Sequence, residues 1–168
     1  MNIITTTIKA RHSVRKYKPI PIDDSLVRDV LTCASLAPTA MNLQPWLFGV
    51  VKDKETLRTI AALTDHGKFI ADAAICFVIF GEKNATYHLE DCCGATENLI
   101  IALQAYGCGS CWVAGNKKDY AEKVRTLLDV PANYTLVSLV PAGIPADINI
   151  VEKKILQDIS FYNKYKAE

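Results

Sequence analysis

AAICFVIF, residues 73–80, is the longest uninterrupted apolar run in the chain. It has the length of a strand, and most of its residues are β-branched or aromatic, as strands favour. Because no polar residue alternates with the apolar ones, both faces of such a strand must be covered. The run therefore predicts a buried central strand.

Helix and strand patterns flank this run on both sides. Apolar residues at helical spacing follow Asp23 and Asp24, either of which can cap a helix, and this helix must end before Pro38. The longest helix is expected over residues 89–106, with Gly107 as its stop. Other helices are expected over 5–10, 53–63 and 119–128, and other strands over 46–51, 110–114 and 134–141. The predicted fold class is α+β, a mixed sheet of four or five strands with helices on its faces.

The composition is that of a globular chain. Half of the 168 residues are apolar, 22% are charged, and the formal net charge is +1. Such a chain can form a core, and it has no basic footprint for nucleic acid. No apolar run is long enough to span a bilayer, and the N-terminus lacks a signal-peptide pattern. We expect one cytoplasmic domain over residues 1–168, with no nucleic-acid or membrane partner.

Six cysteines are present, and two of them form the CxxC of GCGSCW, residues 107–112. This spacing is compatible with a redox pair or with half of a metal site. A zinc or iron–sulfur site needs two further ligands, and the adjacent pair Cys92-Cys93 is poorly suited to chelation. The three histidines have no spacing that suggests a shared metal. We therefore expect core cysteines and no metal site.

RHSVR, residues 11–15, is the first candidate binding segment, and we call it the arginine segment. In an extended chain Arg11, Ser13 and Arg15 share one side, while His12 and Val14 take the other. Two guanidinium groups around a hydroxyl suit a phosphate monoester, because arginine offers forked charged donors. The alternative is a solvated basic strand end, which is a common feature.

APTAMNLQPW, residues 37–46, is the second candidate, and we call it the amide loop. Asn42 and Gln44 can present amide donors and acceptors to a planar heterocycle. The alternative is a prolyl turn with Trp46 anchored in the core. The sequence contains no GxGxxG after the first strand, no GxxxxGK[ST] and no GxSxG, which argues against a Rossmann site, a P-loop and a serine hydrolase.

Together, RHSVRKY, APTAMNLQPW, EDCCGATENLIIALQAYGCGSCW and LVPAGIP, in this order, resemble the FMN-dependent nitroreductase family. The similarity runs over about residues 8–162 and places the chain with the short members. It implies a nitroreductase-like fold with a mainly antiparallel sheet. It also implies an intertwined homodimer that holds flavin at the subunit interface, with the tail from about residue 144 packed on the partner.

The resemblance also assigns roles to individual residues. Arg11 and Ser13 would hold the phosphate, and Arg15 would reach the pyrimidine edge of the ring. Lys154 matches a further phosphate-binding position, for which Lys153 could substitute. The other matching positions are His12 in the arginine segment, Pro38, Thr39, Ala40 and Asn42 in the amide loop, and Pro141, Ala142 and Gly143, where glycine would allow close approach to the ring. Gln44 of the amide loop is a further candidate.

The implied activity is a ping-pong oxidoreduction. NADH or NADPH would deliver hydride to FMN, and an electron-poor small molecule such as a nitroaromatic or a quinone would then accept the electrons. No protein side chain need act as acid or base, so no catalytic residue is predicted. The alternatives are a flavin-binding redox sensor or store without turnover, and a specialised flavin enzyme of the same fold, such as a dehalogenase.

Overall fold

The computed structural model describes residues 2–165 and has strand β2 (Ile75–Glu82) at the centre of its sheet. The sheet order is β1-β2-β5-β3, and β4 also pairs with β5. All four pairings between these strands are antiparallel. The other strands are β1 (Trp46–Val51), β3 (Gly109–Ser110), β4 (Val113–Ala114) and β5 (Tyr134–Gly143). The prediction of an α+β fold with a mainly antiparallel sheet is confirmed.

Strand β2 separates two apolar cores, which explains why it is apolar on both faces. The helices are α1 (Ile3–Ala10), α2 (Asp24–Ser35), α3 (Lys54–Leu63), α4 (His88–Ala105) and α5 (Ala121–Leu127). The odd-numbered side chains of β2, such as Phe77, pack with α2 and α4, and the even-numbered ones, such as Val78, pack with α3 and α5. The predicted central strand therefore lies at the centre of the molecule, with one core on each of its faces.

Polar N-caps fix the starts of three helices. The side chain of Asn2 accepts from backbone N–H groups of α1, that of Asp23 from α2, and that of Asp53 from α3. These caps satisfy N–H groups that have no partner within the helix. None of the helices within residues 2–165 is long and apolar enough to cross a membrane.

One predicted strand is divided in the structure. Residues 110–114 were expected to form a single strand, but β3 and β4 are separate two-residue strands on the same partner. Between them the Cys111 N–H donates to Pro141 O at 3.3 Å. Proline has no N–H to return the second bond of this antiparallel pair, so the ladder is interrupted at this point.

The C-terminal tail, residues 144–165, leaves the sheet after β5. From residue 146 onward every described residue is exposed, and the only helical element is a 3-10 turn, Leu156–Ile159. Residues 166–168 of the predicted tail lie outside the described part of the chain. The tail nevertheless carries large apolar side chains, namely Ile148, Ile150, Val151, Ile155, Leu156, Ile159, Phe161 and Tyr162.

Candidate functional site

The arginine segment lies extended beside β3. Helix α1 ends at Ala10, and the following residue, Arg11, has a φ of −65° and a ψ of 129° that turn the chain out of the helix. Ser13 then forms a parallel bridge with Ser110, and the Val14 N–H donates to Ser110 O at 2.9 Å. The segment is thus fixed to the sheet by its backbone, which leaves its polar side chains available.

Alternate side chains of the arginine segment face different cavities. Arg15 lines a cavity of about 190 Å³ together with Phe69, Cys111 and Trp112. His12 and Val14 line a separate cavity of about 470 Å³, beside the end of α4 and the start of the tail. The structure therefore brings His12 to the side away from Arg15, as an extended chain requires.

The side of the arginine segment that carries Arg15 presents guanidinium groups that are not paired with an acid in the described chain, and Asp65, which also lines the Arg15 cavity, is paired with Lys118. No ion pair or side-chain hydrogen bond of Arg11 or Arg15 occurs within residues 2–165. The Arg15 guanidinium instead lies over the Phe69 ring, 5.7 Å from its centroid. Two guanidinium groups without a carboxylate partner beside a hydroxyl form a donor set suited to an anion.

The thiol of Cys111 lies against this same side. Burial raises its pKa, and the positive charges of Arg15 and Arg11 and the Ser13 hydroxyl oppose the increase in part. The thiol is therefore protonated at neutral pH and is not an activated nucleophile. All six cysteines are free, and Cys76, Cys92, Cys108 and Cys111 are buried while Cys33 and Cys93 are half-buried. Their role as core residues is confirmed at the four buried positions.

The end of β5 joins the arginine segment through Tyr17. The Tyr17 hydroxyl lies 2.7 Å from Val14 O and 3.1 Å from Pro141 O, so its single proton is shared between two carbonyl groups. Burial raises the pKa of Tyr17, so this hydroxyl remains a donor. A Cβ at residue 143 would lie 2.9 Å from the Tyr17 ring. Within this chain the glycine at 143 is therefore explained by contact with Tyr17.

The amide loop is held in an unusual conformation. Residues 40–42 form a 3-10 turn, and Met41, Asn42 and Gln44 have positive φ values of 52°, 56° and 51°. The Gln44 side-chain amide lies 3.2 Å from Asn42 Oδ1, so the two amides orient one another. Met41 and Leu43 are exposed. The loop thus presents polar and apolar groups outward from a fixed backbone.

One buried histidine nitrogen has no partner in the described part of the chain. His12 Nδ1 lies 3.0 Å from Ala10 O, and because a carbonyl only accepts, this nitrogen carries the proton. Nε2 is consequently an acceptor, and it is buried without a hydrogen bond. Such an unsatisfied buried atom is uncommon in a folded protein.

The single chain does not bring all of the predicted site residues together. The arginine segment and residues 141–143 meet through Cys111 and Tyr17. No hydrogen bond among residues 2–165 joins the amide loop to either of them, because the polar contacts of the loop go to Asp91 of α4. Lys154 is exposed in the tail.

Sequence reasoning missed two residues that organise the site. Asp91 falls near the start of the helix expected over residues 89–106 and lies in the first turn of α4, but its contacts with the amide loop were not anticipated. Tyr17 was assigned no role. Both act over long sequence separations, 52 residues between Thr39 and Asp91 and 124 between Tyr17 and Pro141, so no local spacing indicates them.

The antiparallel α+β fold and the arginine segment beside β3 characterise this protein. Comparison with known families identifies the class to which it belongs. The model of the nitroreductase family matches residues 8–144. The chain belongs to the nitroreductase family.

Individual relatives agree with this assignment. A protein of Archaeoglobus fulgidus named "Putative NADH dehydrogenase/NAD(P)H nitroreductase" is 33% identical over 146 residues, which is 83% of this chain and 84% of the relative. A crystal structure of a Bacteroides thetaiotaomicron protein with the same name has a TM-score of 0.94 at 28% identity and covers 98% of this chain and 99% of its own. A structure titled as an FMN-dependent nitroreductase of Clostridium difficile has a TM-score of 0.90 at 25% identity, with 95% and 98% covered.

Proposed function

We propose that this protein is an FMN-dependent NAD(P)H oxidoreductase that reduces nitroaromatic, quinone or similar electron-poor small molecules. The observation that carries the proposal is the pair of guanidinium groups, Arg11 and Arg15, on either side of Ser13 with no acidic partner in the described chain. This donor set fits the phosphate and the electron-rich pyrimidine edge of a flavin mononucleotide.

The residues of this chain divide the binding of FMN between them. Arg11 and Ser13 would hold the phosphate, with Lys154 of the tail as a further cation. Arg15 would lie at the pyrimidine edge of the ring, where a positive charge favours the reduced anionic form. Residues 141–143 would lie along the ring, and His12 would contribute as a position of the arginine segment, with its side chain in the separate cavity. Pro38, Thr39, Ala40, Asn42 and Gln44 would contact the ring from the amide loop.

A second copy of the chain is needed to complete this site. The cavity at Arg15 holds about 190 Å³, below the roughly 300–1,000 Å³ usual for a site that encloses a small-molecule ligand. The amide loop makes its polar contacts with α4, away from the arginine segment. We infer that the loop of one subunit serves the flavin held by the other, in a homodimer.

Two exposed apolar surfaces support a dimer. One is the tail, with its series of unburied large side chains. The other is an apolar groove between α1, α2 and α4, lined by Ile3, Ile4, Leu36 and Ile101 among others, with a volume of about 410 Å³. Apolar patches of this kind are uncommon on monomers and mark association sites. The tail would pack on the partner subunit.

Bound FMN supplies the chemistry of hydride acceptance from a nicotinamide and electron transfer to a second substrate. The residues of this chain bind and orient the cofactor and keep one face of it accessible. Cys111 is protonated and buried, so it takes no part as a nucleophile. Since the two substrates would use the same face in turn, the expected kinetics are ping-pong.

The test is steady-state oxidation of NADH and of NADPH by the purified protein with a nitroaromatic or a quinone acceptor. Parallel lines in double-reciprocal plots at several acceptor concentrations are the expected result, because the two substrates never occupy the site together. A yellow protein that oxidises neither nicotinamide with any acceptor would instead be a flavin-binding sensor or store. This outcome would reject the reductase activity and leave FMN binding intact.

A further inference from the structure

Asp91 is a buried carboxylate that the proposed reaction does not use. It lies in the first turn of α4, and only 7% of its surface is exposed. Within residues 2–165 it forms no ion pair. A charge buried to this extent needs hydrogen-bond donors in place of water. The N-terminal end of the helix contributes part of the compensation, because it favours negative charge.

The donors to Asp91 all come from the amide loop. The Thr39 hydroxyl donates to one carboxylate oxygen at 2.7 Å, and the Ala40 N–H lies 3.3 Å from both oxygens. The Thr39 hydroxyl oxygen in turn accepts from the Gln44 N–H at 3.0 Å. One hydroxyl therefore connects the carboxylate on α4 to both ends of the loop.

The loop needs such a connection because its backbone is strained. Left-handed conformations are tolerated by glycine and by asparagine, such as Asn42, but they are disfavoured for other residues. Met41 and Gln44 nevertheless adopt them as well. These three residues carry no large buried surface that could hold them, since each is exposed. Besides the hydrogen bonds within the loop itself, the bonds of Thr39 and Ala40 to Asp91 are the side-chain hydrogen bonds in residues 2–165 that connect the loop to another element and oppose the strain.

We propose that Asp91 is a positioning residue that holds the amide loop in its FMN-binding conformation before the cofactor arrives. The inference rests on the proposed function, because it assumes that the amide loop contacts FMN. Without the carboxylate or the Thr39 hydroxyl, the strained loop relaxes, and FMN must then bind a loop that is no longer ordered. The affinity for FMN then falls in proportion to the fraction of molecules in which the loop remains ordered.

The test compares Thr39→Val, Thr39→Ser and Asp91→Asn by titration of the apoprotein with FMN, following flavin fluorescence. Thr39→Val removes only the hydroxyl, which bonds Asp91 and the Gln44 N–H, and keeps the side-chain shape, so an apolar contact of this residue with the ring is retained. This variant remains informative if Asp91→Asn fails to fold. A hydrogen bond to a charged group corresponds to about a tenfold to hundredfold change in Kd. We expect a weakening of this size for Thr39→Val and Asp91→Asn, and rescue by Thr39→Ser.

The matched control is Thr32→Val, which removes an exposed hydroxyl that donates to Arg28 O on α2; its FMN affinity is expected to stay at the wild-type value. The double variant Thr39→Val, Asp91→Asn is expected to bind FMN no more weakly than either single variant, because both substitutions break one connection.

Wild-type affinity in both single variants, equal weakening in Thr39→Ser and Thr39→Val, or additive effects in the double variant would each overturn the positioning role. A wild-type apoprotein that does not bind FMN would be a different result. It would reject the proposed function itself and the positioning role with it.

Discussion

Arg11, Ser13 and Arg15 share one side of an extended segment, and this alternation follows from strand geometry alone. The structure adds the environment: Arg15 and Ser13 act on the same buried thiol, Cys111, and neither arginine is paired with an acid in the described chain. Guanidinium groups without an acidic partner are suited to binding an anion. The proposed phosphate contact therefore depends on a few individual side chains.

The first prediction is that FMN binds more weakly when the proposed phosphate contacts are removed. Arg11→Ala combined with Ser13→Ala is expected to weaken FMN binding by roughly 3 kcal/mol or more, since charged hydrogen bonds contribute about 1.5–3 kcal/mol each. The measurement is FMN titration of the apoproteins. Arg58→Ala combined with Thr59→Ala, on the exposed face of α3, is the matched control and is expected to bind FMN like the wild type.

The N-cap of α3 gives a prediction about pH. Hydrogen bonds from the Thr56 hydroxyl and N–H lower the pKa of Asp53 in the folded state. The cap therefore stabilises the protein above the unfolded pKa of about 3.9 and loses this effect as the pH falls through the lower folded value.

Asp53→Ala is accordingly expected to lower Tm at pH 7 by a few degrees, and the difference from wild type is expected to shrink as the pH is taken toward 3. The measurement is thermal unfolding followed by circular dichroism across this range. Thr59→Ala serves as a control whose effect does not depend on pH. A difference for Asp53→Ala that stays constant with pH would contradict the assignment.

The residues that sequence reasoning could not foresee are those whose partners are remote. Asp91 has the signature of an ordinary first-turn acid, and nothing local indicates that it is buried against the amide loop. Met41 and Gln44 have positive φ, but neither is glycine, the residue that usually signals such a conformation. These features depend on contacts between residues that are far apart in the sequence, so the local sequence pattern does not indicate them.

At the scale of elements, the sequence predicts what depends on caps and on apolar periodicity. Strand β1 has the predicted bounds, α2 is capped by Asp23, one of the two aspartates proposed for this role, and α3 begins within one residue of its predicted start at residue 53. The division of residues 110–114 into β3 and β4 was not predicted, because it depends on the proline opposite Cys111 in β5. Pairing partners are not visible in a single sequence.

Close packing of β3 on the arginine segment gives a prediction at this scale. A Cβ at Gly109 would lie 2.6 Å from a Val14 methyl group and 2.9 Å from the Pro145 ring. Gly109→Ala is therefore expected to lower the free energy of unfolding by about 1–3 kcal/mol through overpacking, and to weaken FMN binding by displacing the arginine segment.

Urea unfolding of the apoprotein measures the first effect. Gly94→Ala is the control, because a Cβ there has only an ordinary contact at 3.9 Å and alanine favours the interior of helix α4. It is expected to leave stability unchanged or to raise it slightly. A Gly109→Ala protein as stable as wild type would show that the segment is not held as tightly as these distances indicate.

At the scale of the whole molecule, the apolar groove and the tail remain uncovered in one chain. Ile4 and Leu36 of the groove are 64% and 75% exposed, and the tail has no described buried residue beyond residue 145. Apolar surfaces of this kind are usually covered by a partner. The small volume of the cavity at Arg15, about 190 Å³, agrees with the proposal that a second chain completes the site.

A mass of about 37 kDa, twice the 18.5 kDa of one chain, is expected in sedimentation equilibrium. Ile4→Asp places a charge in the groove and is expected to shift the protein toward monomers and to weaken FMN binding with it. Leu127→Asp, on an exposed position of α5, is the control and is expected to remain dimeric. A wild-type monomer that binds FMN tightly would contradict the shared site.

The most direct measurement of the central proposal is the visible absorption spectrum of the purified protein, followed by identification of the released chromophore. The account predicts the bands of an oxidised flavin, release of FMN on denaturation, and one FMN per chain. A colourless protein that takes up no FMN when the cofactor is added in excess would contradict it.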